Sequence, residues 1–314
     1  MIIQKNSQGV LEMDDDKKTV KLVKKIIKNL RFTLEYRDKK VLSEEAGNNE
    51  IYELIRLEKP MAVMRLGSTE TNCAYPWSIG KKPSQKILER GQYAAGIFPT
   101  DFENNAVFSK IYLDAVKQAD VMALCDVYKE KEIITRYCNK TCKFIRARSI
   151  EPYYFENPWT IALKGKSVLI IHPFIETIQS QYQNRKNIFK NPDILPEFSE
   201  IQFIKAVQSA AGARTDFLTW KDALSYMCDE IDKRKFDIAI VGAGAYAMPL
   251  CAHIKQTGKM AIQMSGATQL LFGIKGKRWD NHPIISGFYN EYWVRPNEKE
   301  TPPQTQKVEG GSYW

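Results

Sequence analysis

From about residue 51, the hydrophobic positions of this chain form short unbroken apolar runs that alternate with longer stretches of helical period. The runs at 61–65, 120–125, 143–146, 167–171, 200–204, 237–241 and 259–264 are rich in Val, Ile, Met and Ala, as expected of strands buried on both faces. Between them, 84–95, 104–118, 174–187, 220–233 and 246–257 carry apolar residues three and four apart and predict helices. The alternation predicts an α/β fold: Rossmann-like, with a mostly parallel sheet and helices on both faces. Upstream, Val20, Val23, Ile27 and Leu30 recur at helical spacing while lysines take the other faces, which predicts an N-terminal amphipathic helix. Asp14 to Asp16 sit where acids favour a helix start. The polar run Ser43 to Glu50 reads as a linker. From about Pro296, with Pro302-Pro303 and Gly310-Gly311, the chain reads as an irregular tail whose closing Ser-Tyr-Trp can dock back onto the body. Three parts follow: a basic helical segment over 1–45, an α/β catalytic domain over 46–295 and a tail over 296–314.

Charge changes the picture in one place. Of the net +9, most lies between Lys17 and Lys40, where ten Lys or Arg face only Glu35 and Asp38. A basic amphipathic helix suits peripheral contact with an anionic membrane, or else packs its apolar stripe on the domain and leaves its lysines in water. The rest of the chain is near neutral and holds no nucleic-acid-binding module, so no nucleic-acid partner is expected. No apolar stretch of about 18 residues and no secretory pattern occurs, and the six cysteines are irregularly spaced. A zinc site at Cys138 and Cys142 would need a second cysteine pair or nearby histidines, but the three histidines are scattered at 172, 253 and 282. A cytoplasmic protein with reduced thiols is expected, peripheral on the inner face of the membrane if the helix serves as an anchor.

The candidate chemistry begins with Met61-Ala-Val-Met-Arg-Leu-Gly-Ser-Thr-Glu70, where a buried strand runs into a turn carrying Arg65, Gly67 and Glu70. Arg65 offers a planar fork of donors suited to a diphosphate, Gly67 permits a sharp turn or close approach, and Glu70 is a hard oxygen ligand. Together they suggest a metal–diphosphate ligand; a surface Arg–Glu pair in a tight turn is the alternative. The pattern Arg-x-Gly-x-x-Glu resembles the signature of the GT-D fold glycosyltransferases, bacterial enzymes that pass a sugar from a nucleotide-diphosphate sugar to a glycan acceptor. Many members carry Asp-x-Glu at the last three positions, an acidic pair linked to the metal. Here those positions are Ser68, Thr69 and Glu70. The resemblance therefore implies Mn²⁺ or Mg²⁺ held with the help of Glu70, on a single protein carboxylate.

In open parallel sheets, ligands bind beyond the carboxyl ends of the strands. That rule gathers Arg65 and Glu70, Asp126, His172, Gly242 and Gly244, and Ser265 with Gly266 around one region. Phe236-Asp-Ile-Ala-Ile-Val-Gly-Ala-Gly-Ala-Tyr-Ala247 runs a strand through Gly-x-Gly into a helix, a way to offer backbone amides to phosphate. The alternative is a tight helix–sheet contact. The acidic residue that a dinucleotide site needs about 20 positions on is missing from Ala261-Ile-Gln-Met-Ser-Gly266, which disfavours NAD. His172 offers a phosphate ligand or a base, Glu176 an orienting carboxylate four residues on, and Asp126 a base or metal ligand. Each is otherwise a turn or capping residue, and His253, mid-helix among apolar neighbours, is assigned to packing. Gly273-Ile-Lys-Gly-Lys-Arg-Trp279 sets Lys275, Lys277 and Arg278 on a loop able to close over a phosphate leaving group. Segments such as Ile171-His-Pro-Phe and Gln269-Leu-Leu-Phe-Gly-Ile-Lys-Gly-Lys-Arg-Trp also resemble those of uncharacterised proteins from bacterial surface-polysaccharide gene clusters.

The expectation is thus a glycosyltransferase with a nucleotide-diphosphate sugar donor, UDP-sugar favoured, and a glycan or lipid-linked glycan acceptor. Glu70, Asp126, His172 and Glu176 are its catalytic candidates. Arg65, Gly67, Gly242, Gly244, Ser265, Lys277 and Arg278 are its binding candidates. A non-catalytic nucleotide- or glycan-binding scaffold, and an oxidoreductase or methyltransferase using the Gly242–Gly244 turn, are the alternatives.

Overall fold

The computed structural model describes Thr19, Val23, residues 26–307 and residues 310–314. It divides into two compact units, Met1–Lys40 and Val41–Trp314. In the first, residues 26–35 are helical, and Val23, Ile26, Ile27, Leu30 and Leu34 are exposed. Asp14 to Asp16 and most of the lysines of the basic segment lie outside the described residues.

The second unit is built on eight parallel strands: β1 (Val41–Leu42), β2 (Met61–Arg65), β3 (Val121–Leu124), β4 (Lys143–Arg146), β5 (Ser167–His172), β6 (Glu200–Lys205), β7 (Ile238–Val241) and β8 (Met260–Gln263). Their order is β1-β4-β3-β2-β8-β7-β5-β6. All seven expected strands are present; the two-residue edge strand β1 is too short to show a pattern. β2, β3, β7 and β8 are buried at every position except Arg65. Sheets covered on both faces require this, and it explains why the strands read as continuous apolar runs.

The helices are α1 (Glu44–Arg56), α2 (Ser68–Ser78), α3 (Gln85–Ala95), α4 (Phe102–Val116), α5 (Glu130–Tyr137), α6 (Ile175–Gln183), α7 (Arg185–Ile188), α8 (Trp220–Asp232), α9 (Ala247–Gln256) and α10 (Ala267–Leu271). The stretch expected as one helix over 174–187 breaks at Asn184. The run Ser43 to Glu50 is not a linker but the start of α1. Ser43 caps it by accepting from the Ala46 N–H, Glu44 and Glu45 fill its first turn, and Gly47 and Asn48 face inward. Gly47 is pressed so closely on β4 that a Cβ there would lie 2.9 Å from Ile145 Cβ. Asn48 is buried because its amide donates to Asn157 O (2.9 Å) while its oxygen accepts from Trp159 N–H (2.9 Å). Hydrogen bonding, rather than apolar surface, makes those positions interior. Helix α2 escaped the pattern for a related reason: it buries Thr71, Cys73 and Ala74, and it contains Pro76.

β2 and β8 lie side by side at the sheet's centre, with Val63 opposite Ile262. From β2 the chain builds outward to β3 and β4 on one flank, then crosses to build β5 to β8 on the other. The β2/β8 boundary is therefore the topological switch point, where loops from the two flanks part and leave a crevice.

Candidate active site

At the carboxyl end of β2, the Arg65 N–H donates to Gln263 Oε1 of β8 (3.1 Å), tying the two central strands together at the crevice. Gly67 is the N-cap of α2, and its N–H donates to the buried Tyr112 hydroxyl (3.1 Å). Glu70, in the first helical turn, folds back over this glycine. A Cβ at position 67 would stand 2.2 Å from Glu70 Oε2 and 2.6 Å from Cδ. The spacing Arg-x-Gly-x-x-Glu thus has a steric reason: the glycine leaves the space that the carboxylate fills, and the helix start favours its charge.

The Arg65 guanidinium keeps its charge firmly. It is raised above its ordinary value first by Cys125, once that thiol ionises at high pH, then, against the opposing effect of burial, by Glu151, Tyr313 and Glu70. Burial pushes the Cys125 thiol up to about 11, so it stays protonated at neutral pH. Burial likewise raises Glu151, despite the bond its carboxylate accepts from Tyr153 OH (2.8 Å) and the opposing charges of Arg65, Arg148 and Arg278. The loop bearing Cys125 is fixed by Glu130, a fully buried carboxylate that accepts from the N–H groups of Cys125 (2.9 Å) and Asp126 (2.8 Å). Asp126 and Ser265, each just beyond a strand end, hold left-handed backbones at φ 59° and 52°, a kind of outlier that clusters at functional sites.

On the other flank, His172 ends β5 and is buried, and burial pushes its pKa down to about 3. Its Nδ1 accepts from the Phe174 N–H (3.0 Å), so the neutral ring carries its proton on Nε2. Such a histidine donates a hydrogen bond; it is neither a cationic phosphate ligand nor an effective base. Gly242, after β7, packs against this ring: a Cβ there would meet His172 Cδ2 at 2.5 Å, Thr268 Oγ1 at 2.7 Å and Ser265 O at 2.8 Å. Gly244, by contrast, has open space beside it and a left-handed φ of 52°. Ser209, after β6, joins Gly96 O and Tyr246 OH, each at 2.8 Å.

Arg65, Cys125, His172, Ser209, Tyr246 and others of these groups line one cavity of about 340 Å³, within the range of small-molecule sites. Of the expected residues, Arg65, Gly67, Glu70, His172, Gly242, Gly244, Ser265 and Arg278 come together on its wall. Among the described residues, Asp126, Glu176 and Lys277 stay off it. The Asp126 N–H is bound to Glu130, as described above. The Glu176 side chain is exposed and pairs with Lys205 at 3.4 Å, so it does not orient His172. Lys277 points to the exterior of its loop, where it is exposed. The wall also includes residues that sequence reasoning passed over. Gln263 and Cys125 follow from the strand-end rule but lack a conspicuous chemistry. Ser209 and Tyr246 carry no motif at all. Tyr313 and Trp314 belong to the segment expected to dock on the body.

Among the described residues no group of three or more His, Cys, Asp or Glu gathers as a metal cluster would. Among the described residues Glu70 is the one acidic side chain on the cavity wall, beside the hydroxyl residues Ser68 and Thr69. This donor set does not suit a resident metal held by protein alone. It does suit Mg²⁺ or Mn²⁺ arriving with phosphates, since such ions commonly take one or two carboxylates and complete their shell with phosphate oxygens and water.

A cavity at the switch point of a parallel sheet, with two arginines at its wall, sits where α/β folds commonly bind small molecules. The sequence matches the GT-D fold-like domain family over residues 42–271. The chain belongs to that family of GT-D-like domains, which supports glycosyltransferase activity. Three solved structures are similar to it in fold. A domain of unknown function 1792 described as having a distinct glycosyltransferase fold is 15% identical, with a TM-score of 0.45 over 86% of this chain and 96% of that one. A glycosyltransferase (DUF1792) from Streptococcus sanguinis is 13% identical, with a TM-score of 0.43 over 83% and 96%. A selenomethionine-substituted DUF1792 domain is 16% identical, with a TM-score of 0.42 over 75% and 82%. No curated protein matches the sequence.

Proposed function

We propose that the protein transfers a sugar from a nucleotide-diphosphate sugar, UDP-sugar favoured, to a glycan or lipid-linked glycan acceptor, in bacterial surface-polysaccharide or glycoprotein synthesis. The observation that carries the reading is the Arg65–Gly67–Glu70 turn at the switch point, with Arg278 on the same cavity wall. Arg65 pairs with a phosphate oxygen of the donor. Arg278 meets the outer part of the diphosphate as it leaves with growing charge, while the anomeric carbon gains oxocarbenium character. Glu70, held over Gly67, supplies one oxygen to a divalent ion that comes in with the donor. When bound, that ion adds Lewis-acid stabilisation of the departing diphosphate. The Nε2–H of His172 donates to a phosphate or sugar oxygen. Gly244 and the neighbouring backbone line the donor side of the cavity.

The test is thermal unfolding with UDP, GDP, CMP, NADH and S-adenosylmethionine, each with and without Mn²⁺. A ligand at about 100 times its Kd adds roughly 2.7 kcal/mol of stability. Stabilisation by one nucleoside diphosphate, strengthened by Mn²⁺ in the wild type and not in Glu70→Ala, is the expected result. A shift with NADH or S-adenosylmethionine alone would overturn the reading in favour of an oxidoreductase or methyltransferase. That alternative loses support at Gly242, whose open side is filled by His172 and Thr268. The single carboxylate favours one second reading, a nucleotide- or glycan-binding scaffold, which binding without turnover on any acceptor would establish.

The exposed apolar positions Val23, Ile26, Ile27, Leu30 and Leu34, interspersed with Lys28 and Arg31, support peripheral contact with an anionic membrane. Among the described residues no helix is long and apolar enough to cross a membrane. Co-sedimentation with phosphatidylserine vesicles is expected to fall in an Ile27→Asn, Leu30→Asn double variant, and undiminished binding removes the helix as anchor.

A further inference from the structure

The family match ends at residue 271, yet the cavity wall does not: Arg278, Tyr313 and Trp314 all lie beyond it. The segment Gly310–Trp314 is bound along the loop carrying Arg278. The Arg278 N–H donates to Ser312 O (3.1 Å), the Lys277 N–H to Trp314 O (3.2 Å), and Gln269 Nε2 to Tyr313 O (3.1 Å). Gln269 is itself buried and lines the cavity, so the segment is anchored from inside the site. The Arg278 guanidinium carbon lies 5.4 Å from the centre of the Tyr313 ring and 5.1 Å from that of Trp279, and its NH1 donates to Tyr313 OH (3.2 Å). The Tyr313 ring rests on the bare Cα of Gly266, where a Cβ would meet Cε1 at 2.6 Å. Trp279 rests on Gly276 in the same way, at 2.7 Å from Cζ3.

An exposed arginine on a loop ordinarily samples many rotamers and loses that freedom on gripping an anion. Two aromatic faces and a hydroxyl remove the freedom in advance, while leaving the guanidinium at the cavity wall. We propose that Tyr313 is a positioning residue that holds Arg278 ready for the donor diphosphate, so that residues 310–314 complete the active site from outside the family's common region. The ligand part of this inference rests on the transferase reading; the positioning part does not.

Two measurements separate them. The first needs no ligand: the rate at which phenylglyoxal modifies Arg278 in the full-length protein, followed by peptide mass spectrometry. Tyr313→Leu keeps bulk and removes the aromatic face, and Gly266→Ala pushes the ring away without touching Tyr313. Both are expected to raise the rate several-fold, whereas Tyr313→Phe keeps the ring and stays within about twofold of wild type. The second is the Kd for UDP and for uridine by calorimetry. Tyr313→Leu is expected to weaken UDP about tenfold and uridine not at all, with an unchanged Tm. Equal modification rates in all four proteins overturn the positioning role. Rates that sort as expected in a protein that binds no nucleoside diphosphate uphold it and sink the diphosphate reading instead. Weakening of UDP and uridine alike, in step with a fall in Tm, would reduce Tyr313 to a structural residue.

Discussion

Two strand–turn–helix junctions face each other across the crevice, and both carry a glycine where the strand ends. At the β2 junction, the space beside Gly67 is occupied by the Glu70 carboxylate, with Arg65 two residues before the glycine. At the β7 junction, the space beside Gly242 is occupied by His172 and Thr268, a neutral ring and a hydroxyl-bearing side chain. The same local signal therefore serves two ends. One glycine arranges charge at the cavity wall; the other lets two strands and a helix close on each other. A glycine after a buried strand announces close approach. What approaches is decided elsewhere in the chain.

The comparison is sharpest in variants that move one property and spare the other. Glu70→Ala and Arg65→Ala are expected to lower transfer by a factor of about 100 to 1000, as loss of an aligned charged group does, with little change in Tm. Gly67→Ala should imitate Glu70→Ala in an activity assay, because the added methyl group displaces the carboxylate. Gly242→Ala is expected to reverse the pattern. Its methyl group meets a backbone oxygen as well as two side chains, and denaturant unfolding should show a loss of about 1–3 kcal/mol. If Gly242→Ala kept full stability and lost only activity, the two junctions would not differ as described.

His172 adds a pH signature to the packed side. Its folded pKa is depressed to about 3 from an ordinary 6.5, so the unfolded chain binds the extra proton between those values. Its contribution to stability is complete above pH 6.5 and is lost as pH falls toward 3, by about 1.4 kcal/mol per pH unit. Urea unfolding of wild type and His172→Asn between pH 4 and 7 should therefore converge as the pH falls. Parallel curves would mean that the ring titrates as in water. The smallest effect is expected at Gly244→Ala, where space is open and only the left-handed backbone objects, at about 1 kcal/mol.

Much of this architecture was legible in the pattern of apolar runs, because strands covered on both faces must be apolar throughout. The elements that escaped share a physical cause. The first half of helix α1 holds Gly47 and Asn48, interior through close contact and hydrogen bonds, and α2 buries Thr71, Cys73 and Ala74. Only the second half of α1, at Ile51, Leu54 and Ile55, leaves an apolar stripe in the sequence. In the site, Arg65, Gly67 and Glu70 were readable because three residues of distinct chemistry lie within one turn of chain. Asp126 and Glu176 also sit just past strand ends, and nothing local distinguishes a side chain on the cavity wall from one off it, such as Glu176 paired with Lys205.

The sequence by itself pointed to the parallel α/β fold, the candidate site at the strand ends and the charged turn after β2, since each leaves a local signal: unbroken apolar runs alternating with helical periods, and three distinctive residues within one turn of chain. Only the tertiary structure decided that His172 is a buried neutral donor and that Gly242 is a packing position. It alone brought Tyr313 of the distal segment onto Arg278. Burial and the identity of a partner far along the chain set those properties, and neither is a property of any short stretch of residues.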